Sequence, residues 1–351
     1  KEIGMKSKEY IMQSNGGTAT FARAKEVPIS LIESGPVGGV IGANELGKII
    51  GEKNIITFDI GGTTAKTSLI SNNEVKVTTE YKLEWTPRFA GYPVKSPVVD
   101  IIEIGNGGGS IAWIDEVGVL KVGPQSAGAN PGPACYGLGG TQPTLTDANL
   151  ISGRIDPANF LGGQFKVSMD LARKAMQPIA DHFGISVEEA AMGVIKTANS
   201  NMMNALKLVS VRRGYDPREF AMVAMGGNGA VLSPFLAAEL KVKKLIIPNL
   251  PATFSAWGML VTDLRQDFIQ TQIMPVEGAD LDKINTIYNE MEEEARRIFK
   301  EQNIAEENIV FMRTADLRYV GQEHAVTTPM RGGYVDMESV NLTRKSFDRL
   351  H

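Results

Sequence analysis

Short runs of β-branched and aromatic residues, each closed by a glycine-rich turn, fill the first third of the chain. Residues 28–33 (Pro-Ile-Ser-Leu-Ile-Glu) predict a strand. Residues 34–47 predict a glycine-rich helix, with Ser34 as its cap and Pro36 in the first turn, where a missing N–H does no harm. Glycines at 38, 39 and 42 lower helix propensity, so they either permit close packing or leave N–H groups free for an anion. Residues 54–60 read as a strand, Gly61-Gly62-Thr63-Thr64 as a tight turn and residues 65–70 as the returning strand. Residues 74–83 alternate apolar with polar and predict a third strand, completing a meander. A further apolar run, 98–104, ends in Gly105-Asn-Gly-Gly-Gly-Ser110, and residues 111–115 and 119–122 pair as a hairpin.

The period then changes. Residues 169–183 predict one helix, and Ser186 opens a longer one to Arg212, with Ser186 and Glu189 as a capping box and an apolar stripe at Ala190, Val194, Ala198, Met202, Leu206 and Val209. Residues 220–225 form a buried strand, 226–229 a turn, 230–240 a helix and 244–248 another strand. Strands alternating with helices predict α/β architecture with a mixed sheet. Beyond Asp263 comes a charged amphipathic helix (281–302), a strand pair near 309–328 and a final helix whose opening falls at residues 345–351, so residues 263–351 read as a second, partial domain after a first of 1–262. The chain opens on Lys1 and reads as a piece of a longer protein.

Composition adds one signal and several exclusions. Average usage of about 7% predicts roughly 25 glycines, yet the 351 residues hold 37, twenty of them between Gly35 and Gly140. Backbone in that half is expected to be bent tightly or brought close to a ligand. A net charge of −4 gives no general attraction to nucleic acid or anionic membrane. The lone Cys135 excludes an intrachain disulfide and fits a reducing cytoplasm, and three scattered histidines give no His/Cys metal cluster. The uncharged stretch 122–146 holds six Gly and four Pro, too broken for a membrane span and too long for an ordinary connection; it is expected to pack over a site.

Two glycine turns could carry chemistry. In Phe58-Asp-Ile-Gly-Gly-Thr-Thr-Ala-Lys66 a strand delivers a carboxylate and the turn can offer N–H groups and the Thr63 and Thr64 hydroxyls to phosphate oxygens, with Asp59 placed to hold Mg²⁺ through water. A plain hairpin turn has the same composition. Met225-Gly-Gly-Asn-Gly229, between a strand and a helix, lets a flat ring approach the backbone and an anion approach the helix start. There is no Gly-x-x-x-x-Gly-Lys-Ser/Thr run, and Gly107-x-Gly109-x-x-Ala112 precedes a hairpin, which removes P-loop and Rossmann readings. Lys66 could add a cation near the phosphates or pair with a surface carboxylate. Asp147 fits a helix cap better than a catalytic role, and Cys135, with no basic neighbour, fits packing.

These residues resemble a family. Asp59-Ile-Gly-Gly-Thr-Thr64 is similar to the second phosphate hairpin of the actin, sugar-kinase and heat-shock chaperone ATPase superfamily, and residues 225–229 to its adenosine motif. Gln13-Ser-Asn-Gly-Gly17, Ser34-Gly-Pro-Val-Gly-Gly39, Glu103 to Ser110, Val122 to Gly137, Thr146-Asp-Ala-Asn149, Arg213-Gly-Tyr-Asp-Pro-Arg218 and Arg318-Tyr-Val-Gly-Gln322 resemble the hydantoinase/oxoprolinase A-subunit family. The resemblance implies a ribonuclease H-like mixed sheet flanked by helices, an actin-like ATPase lobe whose N-terminal partner lobe is missing, joined to a partial α+β domain. It also implies ATP and Mg²⁺, a cyclic-amide substrate such as a hydantoin or 5-oxoproline, a B-type partner subunit, and no nucleic acid or membrane; carboxylase activation of a ketone and a nucleotide-gated binding module are the alternatives. On this footing Asp59 (also the metal ligand), Glu103 and Asp100 are the expected catalytic residues. Gly61, Gly62, Thr63, Thr64, Lys66, Gly107, Gly108, Gly109, Ser110, Gly226, Gly227, Asn228 and Gly229 are expected to bind nucleotide, with Asp147 and Asp216 as secondary candidates. The chain departs from the family pattern at Lys66, usually Asp, at Glu103, more commonly His, and in the adenosine turn, where Asn228-Gly-Ala-Val-Leu-Ser233 lacks the expected proline and histidine.

Overall fold

The computed structural model describes residues 8–79, 81–83, 89–94 and 96–351. They form two compact units, Lys1–Arg265 and Gln266–His351.

In the first unit, helix α1 (Ser34–Ile50) leads into strand β1 (Ile55–Ile60), which turns back as β2 (Ala65–Ser71) and the short β3 (Glu74–Val75). Strand β4 (Ile102–Ile104) precedes the hairpin of β5 (Ser110–Ile114) and β6 (Leu120–Ser126). Helices α2 (Leu145–Ile151), α3 (Met169–Phe183) and α4 (Val187–Val209) follow, then strand β7 (Ala221–Met225), helix α5 (Gly229–Leu240), strand β8 (Lys244–Ile246) and helix α6 (Phe254–Leu260).

One mixed sheet orders these strands β4-β2-β1-β7-β8, with β3 beside β2. β2 runs antiparallel to both of its neighbours, β4 and β1, whereas β7 runs parallel to both β1 and β8. β1 is buried on both faces, as expected for a near-continuous apolar run covered by helices on each side. Ile56, Phe58 and Ile60 pack into one core with α2, α3, α4 and α5. Ile55, on the other face, packs with Ile70, Val223, Met225, Val37, Val40 and Ala43 of α1, and Phe254 of α6. Period-two alternation therefore puts Asp59 on the α1 face.

Local signals explain most elements. Ser186 and Glu189 cap α4 reciprocally, and α3 is capped by Ser168 and ends on Gly184 at φ 63°. Four expectations differ. Residues 28–31 are a 3₁₀ turn, because Pro28 starts it and Glu33, at φ 58°, ends any extended run. Glu33 is also the residue before α1, so Ser34 lies inside the helix and supplies no cap. The expected third strand is broken: Glu74–Val75 pair with β2, but Val77–Thr78 pair instead with Val98–Val99, and residue 80 lies outside the described residues. Helix α4 stops at Val209, and Val211–Arg213 form a 3₁₀ turn.

The glycines of α1 serve packing. A Cβ on Gly42 would meet Gly258 Cα at 3.0 Å, and one on Gly38 would meet Ser255 O at 2.7 Å, so α1 and α6 meet backbone to backbone.

The second unit contains α7 (Leu281–Glu301), the hairpin of β9 (Arg313–Leu317) and β10 (Val326–Met330), and α8 (Met337–Leu350), so residues 345–351 close a helix that begins at 337. Asn285 of α7 is buried, donating to Val335 O at 2.9 Å and accepting from Val335 N at 2.8 Å. Arg313 reaches Glu292 at 2.8 Å. Among the described residues no helix is long and apolar enough to cross a membrane.

Candidate active site

The turn between β1 and β2 is held from behind. Gly61 N donates to Thr64 O at 3.0 Å and closes the turn. Ile60 O accepts from Asn228 N (2.9 Å), Gly61 O from Gly108 N (3.0 Å) and Asn228 Nδ2 (3.1 Å), and Gly62 O from Gly109 N (2.6 Å). A trans peptide sends its N–H opposite to its carbonyl. With the Gly61 and Gly62 carbonyls turned to this brace, the Gly62 and Thr63 N–H groups point the other way, and those of Gly62, Thr63 and Thr64 have no acceptor among the described residues. Successive unpartnered N–H groups make an anion-binding concavity.

The brace requires glycine. A Cβ on Gly107 would stand 2.8 Å from Gly61 O, Gly62 C and Thr63 C, and one on Gly108 would overlap Asn228 Nδ2 and press Thr146 Oγ1 at 2.9 Å. Thr146 in turn donates through both N and Oγ1 to Gly108 O, each at 2.8 Å. The nucleotide-binding expectation for Gly107, Gly108, Gly109 and Ser110 is therefore revised. Their N–H groups are engaged by Ser110 Oγ (2.8 Å), Gly61 O, Gly62 O and Gly107 O, and Ser110 is fully buried, so these residues shape the turn from behind and leave no backbone donor for a phosphate. Asn228 likewise braces the hairpin with both nitrogens. Gly226, at φ 84°, lies against Asp59 Oδ1 and Ile60 O, whereas Gly227 is open on all sides and Gly229 begins α5.

Asp59, next to last in β1, stands beside this concavity and lines a small cavity with Pro36, Thr57, Lys66 and Met225. Its carboxylate accepts no hydrogen bond among the described residues, and burial pushes its pKa above the ordinary value, with the Lys66 charge pulling partly back. A half-buried acceptor with no protein donor fits a hydrated Mg²⁺, which takes one or two carboxylates and keeps its waters and phosphates. Among the described residues no three His, Cys, Asp or Glu come together as a ready-made metal cage.

Strand register brings Asp59, Lys66 and Glu103 side by side across β1, β2 and β4. Lys66 Nζ donates to Glu103 Oε1 at 2.6 Å and to Thr64 Oγ1 at 2.6 Å. Lys66 thus pairs with a carboxylate while standing beside the Gly61–Thr64 turn. Glu103 is consequently half of an ion pair. Asp100 leaves the group altogether, because Arg213 binds it through both guanidinium ends, one at 3.1 Å.

Glu33 belongs near this row and was not singled out in the sequence. Burial raises its pKa, the Glu103 carboxylate adds to the rise, and Lys66 opposes it. The signal available was its place before Ser34-Gly-Pro. Asp147 is fully buried as the third residue of α2, accepting from Cys135 N (2.7 Å), Thr144 N (2.9 Å) and Thr144 Oγ1 (2.7 Å). It caps the helix and pins the uncharged stretch; Ala127 N of that stretch reaches Gly109 O at 2.8 Å. Burial pushes the Cys135 thiol up, with Asp147 adding to it, so the thiol stays protonated and packs. Asp216 is tied to Arg218 at the surface, which holds its carboxyl down at about 2.

The profile described as hydantoinase/oxoprolinase matches residues 1–268. An uncharacterised protein of Methanocaldococcus jannaschii is 43% identical over 95% of this chain and 49% of its own length. The caprolactamase subunit alpha of Pseudomonas jessenii is 34% identical over 100% of this chain and 50% of its own. The crystal structure of that organism's ATP-dependent caprolactamase superposes with TM-score 0.83 at 32% identity, covering 100% of this chain and 50% of that one. The nucleotide-free structure of an acetone carboxylase that carries out ATP-dependent acetone carboxylation superposes with TM-score 0.79 at 29% identity, over 99% and 49%. The chain spans about half the length of these relatives.

Proposed function

Because the chain belongs to the hydantoinase/oxoprolinase family, we propose that it carries the Mg-ATP-binding machinery of an ATP-dependent enzyme that opens a cyclic amide. The observation that supports this reading is the hairpin of residues 60–64: carbonyls turned into a glycine brace, N–H groups turned out, and beside them an Asp59 carboxylate with no protein donor.

An amide carbonyl resists water because resonance feeds electron density into it. Transfer of the γ-phosphoryl of ATP to the carbonyl oxygen makes that oxygen a leaving group and opens the carbon to attack. Phosphoryl transfer asks a protein mainly for positioning and charge stabilisation. The Gly62, Thr63 and Thr64 N–H groups would bind phosphate oxygens, Asp59 would hold Mg²⁺ through its water shell, and the exposed Gly227 would let the nucleoside approach the backbone. Bound Mg²⁺ would supply neutralisation of phosphate charge. Glu103 and Asp100 have no part in this chemistry in our reading, since Lys66 and Arg213 occupy them. A cyclic amide substrate and a second subunit are our reading, supported by a relative named as a subunit of a caprolactamase.

Activation of a ketone for carboxylation is the second reading, favoured by the near-equal match to acetone carboxylase. ADP release by the full-length protein with its partner subunit, in the presence of 5-oxoproline, hydantoins, or ketones with bicarbonate, separates the two. For the hairpin itself the decisive variant is Asp59→Asn. It should abolish substrate-dependent ADP release, and it should stabilise the nucleotide-free fold. The sign follows from burial: an acid whose folded pKa exceeds the ordinary 3.8 loses stability as pH rises past that value, and Asn carries no such charge. Unchanged Mg-ATP affinity and turnover in Asp59→Asn would overturn the reading.

A further inference from the structure

The donors of Lys66 decide the direction of a neighbouring hydrogen. Its side chain is only 18% exposed, and its ammonium donates at 2.6 Å to Glu103 Oε1 and at 2.6 Å to Thr64 Oγ1. An ammonium has donors and no acceptor, so in the second bond Thr64 Oγ1 must be the acceptor. The Thr64 hydroxyl hydrogen then cannot point at Lys66 and has no acceptor among the described residues. Thr64 is the last residue of the turn whose N–H groups face away from the brace. The ammonium is itself fixed by strand pairing, since Glu103 and Lys66 are direct partners between β4 and β2.

We propose that Lys66 is a positioning residue for the phosphate turn: anchored by Glu103, it commits the Thr64 hydroxyl to donate outward, to a phosphoryl oxygen. This rests on the reading of residues 60–64 as the phosphate site. It assigns Lys66 and Glu103 to one device, and it makes Thr64 the group that touches phosphate while Lys66 acts through it. A charge-assisted bond to Oγ1 also polarises the O–H, strengthening its donation. The ligand class selected is an oxyanion able to accept from both O–H and N–H, as a nucleoside polyphosphate does.

A double-mutant cycle on the full-length protein tests this, with Mg-ATP and adenosine as probes and calorimetric affinity as the readout. Lys66→Met and Thr64→Val should each weaken Mg-ATP about tenfold, the size of one charge-assisted bond. The double variant should be no weaker than either single variant by more than about twofold, because Lys66 acts on phosphate only through the Thr64 hydroxyl. Adenosine affinity should stay unchanged throughout, Lys66→Arg should restore most of the loss, and Thr64→Ser, which keeps the hydroxyl, should bind as the parent does. Losses that multiply in the double variant would show Lys66 acting on phosphate independently of Thr64 and would overturn the proposal, as would equal losses for adenosine or an unaffected Lys66→Met. A parent protein that binds adenosine and no Mg-ATP would remove the phosphate-site reading and this proposal with it, whereas parent binding with multiplying losses removes this proposal alone.

Discussion

Two glycine clusters in the first unit have similar composition and opposite consequences. Gly38 and Gly42 of α1 bring a helix against Gly258 of α6, and the partner surface is another helix, which sends Phe254 into the apolar core. Gly107, Gly108 and Gly109 bring one turn against another, and the partner surface is the carbonyl side of residues 60–62. In the first case close approach supplies packing; in the second it orients peptides, because every carbonyl drawn into the brace sends an N–H outward. Glycine spacing thus reports that backbone comes close. What that closeness does is decided by the groups on the other side.

This contrast can be broken at its two ends. The largest effect should come from Gly258→Ala, whose Cβ would overlap Gly38 O and stand 2.9 Å from Gly42 N. Overpacking of this kind should cost about 3 kcal/mol of stability, read by denaturant unfolding, with Mg-ATP affinity per folded molecule unchanged. Gly107→Ala should behave inversely. Its Cβ would press on Gly61, Gly62 and Thr63 at 2.8 Å, and a turn that can shift toward solvent should lose only about 1 kcal/mol while its Mg-ATP affinity falls by about tenfold or more. If Gly107→Ala lost stability and kept affinity, the brace would be packing like any other. The smallest effect sharpens the boundary of the site. Asp100→Asn should cost about 1 kcal/mol through the lost Arg213 pair and leave substrate-dependent ADP release at the parent rate.

Much of this was legible along the chain. The strand ending in Asp59, the Gly61-Gly62 turn, the Ser186 and Glu189 cap and the α/β alternation all depend on neighbours within a few residues, which sequence displays directly. The partners of the charged candidates were not. Lys66 meets Glu103 across 37 positions and Arg213 meets Asp100 across 113, joined in one case by strand register and in the other by the turn after α4. Asp100 therefore looked as free as Asp59, although only Asp59 lacks a donor. Residues 28–33 show the same limit at short range: their apolar composition suits a strand, but Pro28 and the left-handed Glu33 set the backbone otherwise. Glycines 107–109 were recognisable as a close approach, while the face they approach needed three dimensions.

The brace behind residues 60–62 also bears on how such a chain can change over generations. The donors it orients are main-chain groups, and they are aimed by other main-chain groups at Gly108, Gly109 and Asn228. Replacing an exposed side chain such as Thr63 therefore leaves the Gly62 and Thr63 N–H groups pointing where they did, and replacing a brace glycine disturbs both at once. A lineage built on this unit inherits an anchor that resists gradual adjustment, and new preferences have to arise on surfaces away from it.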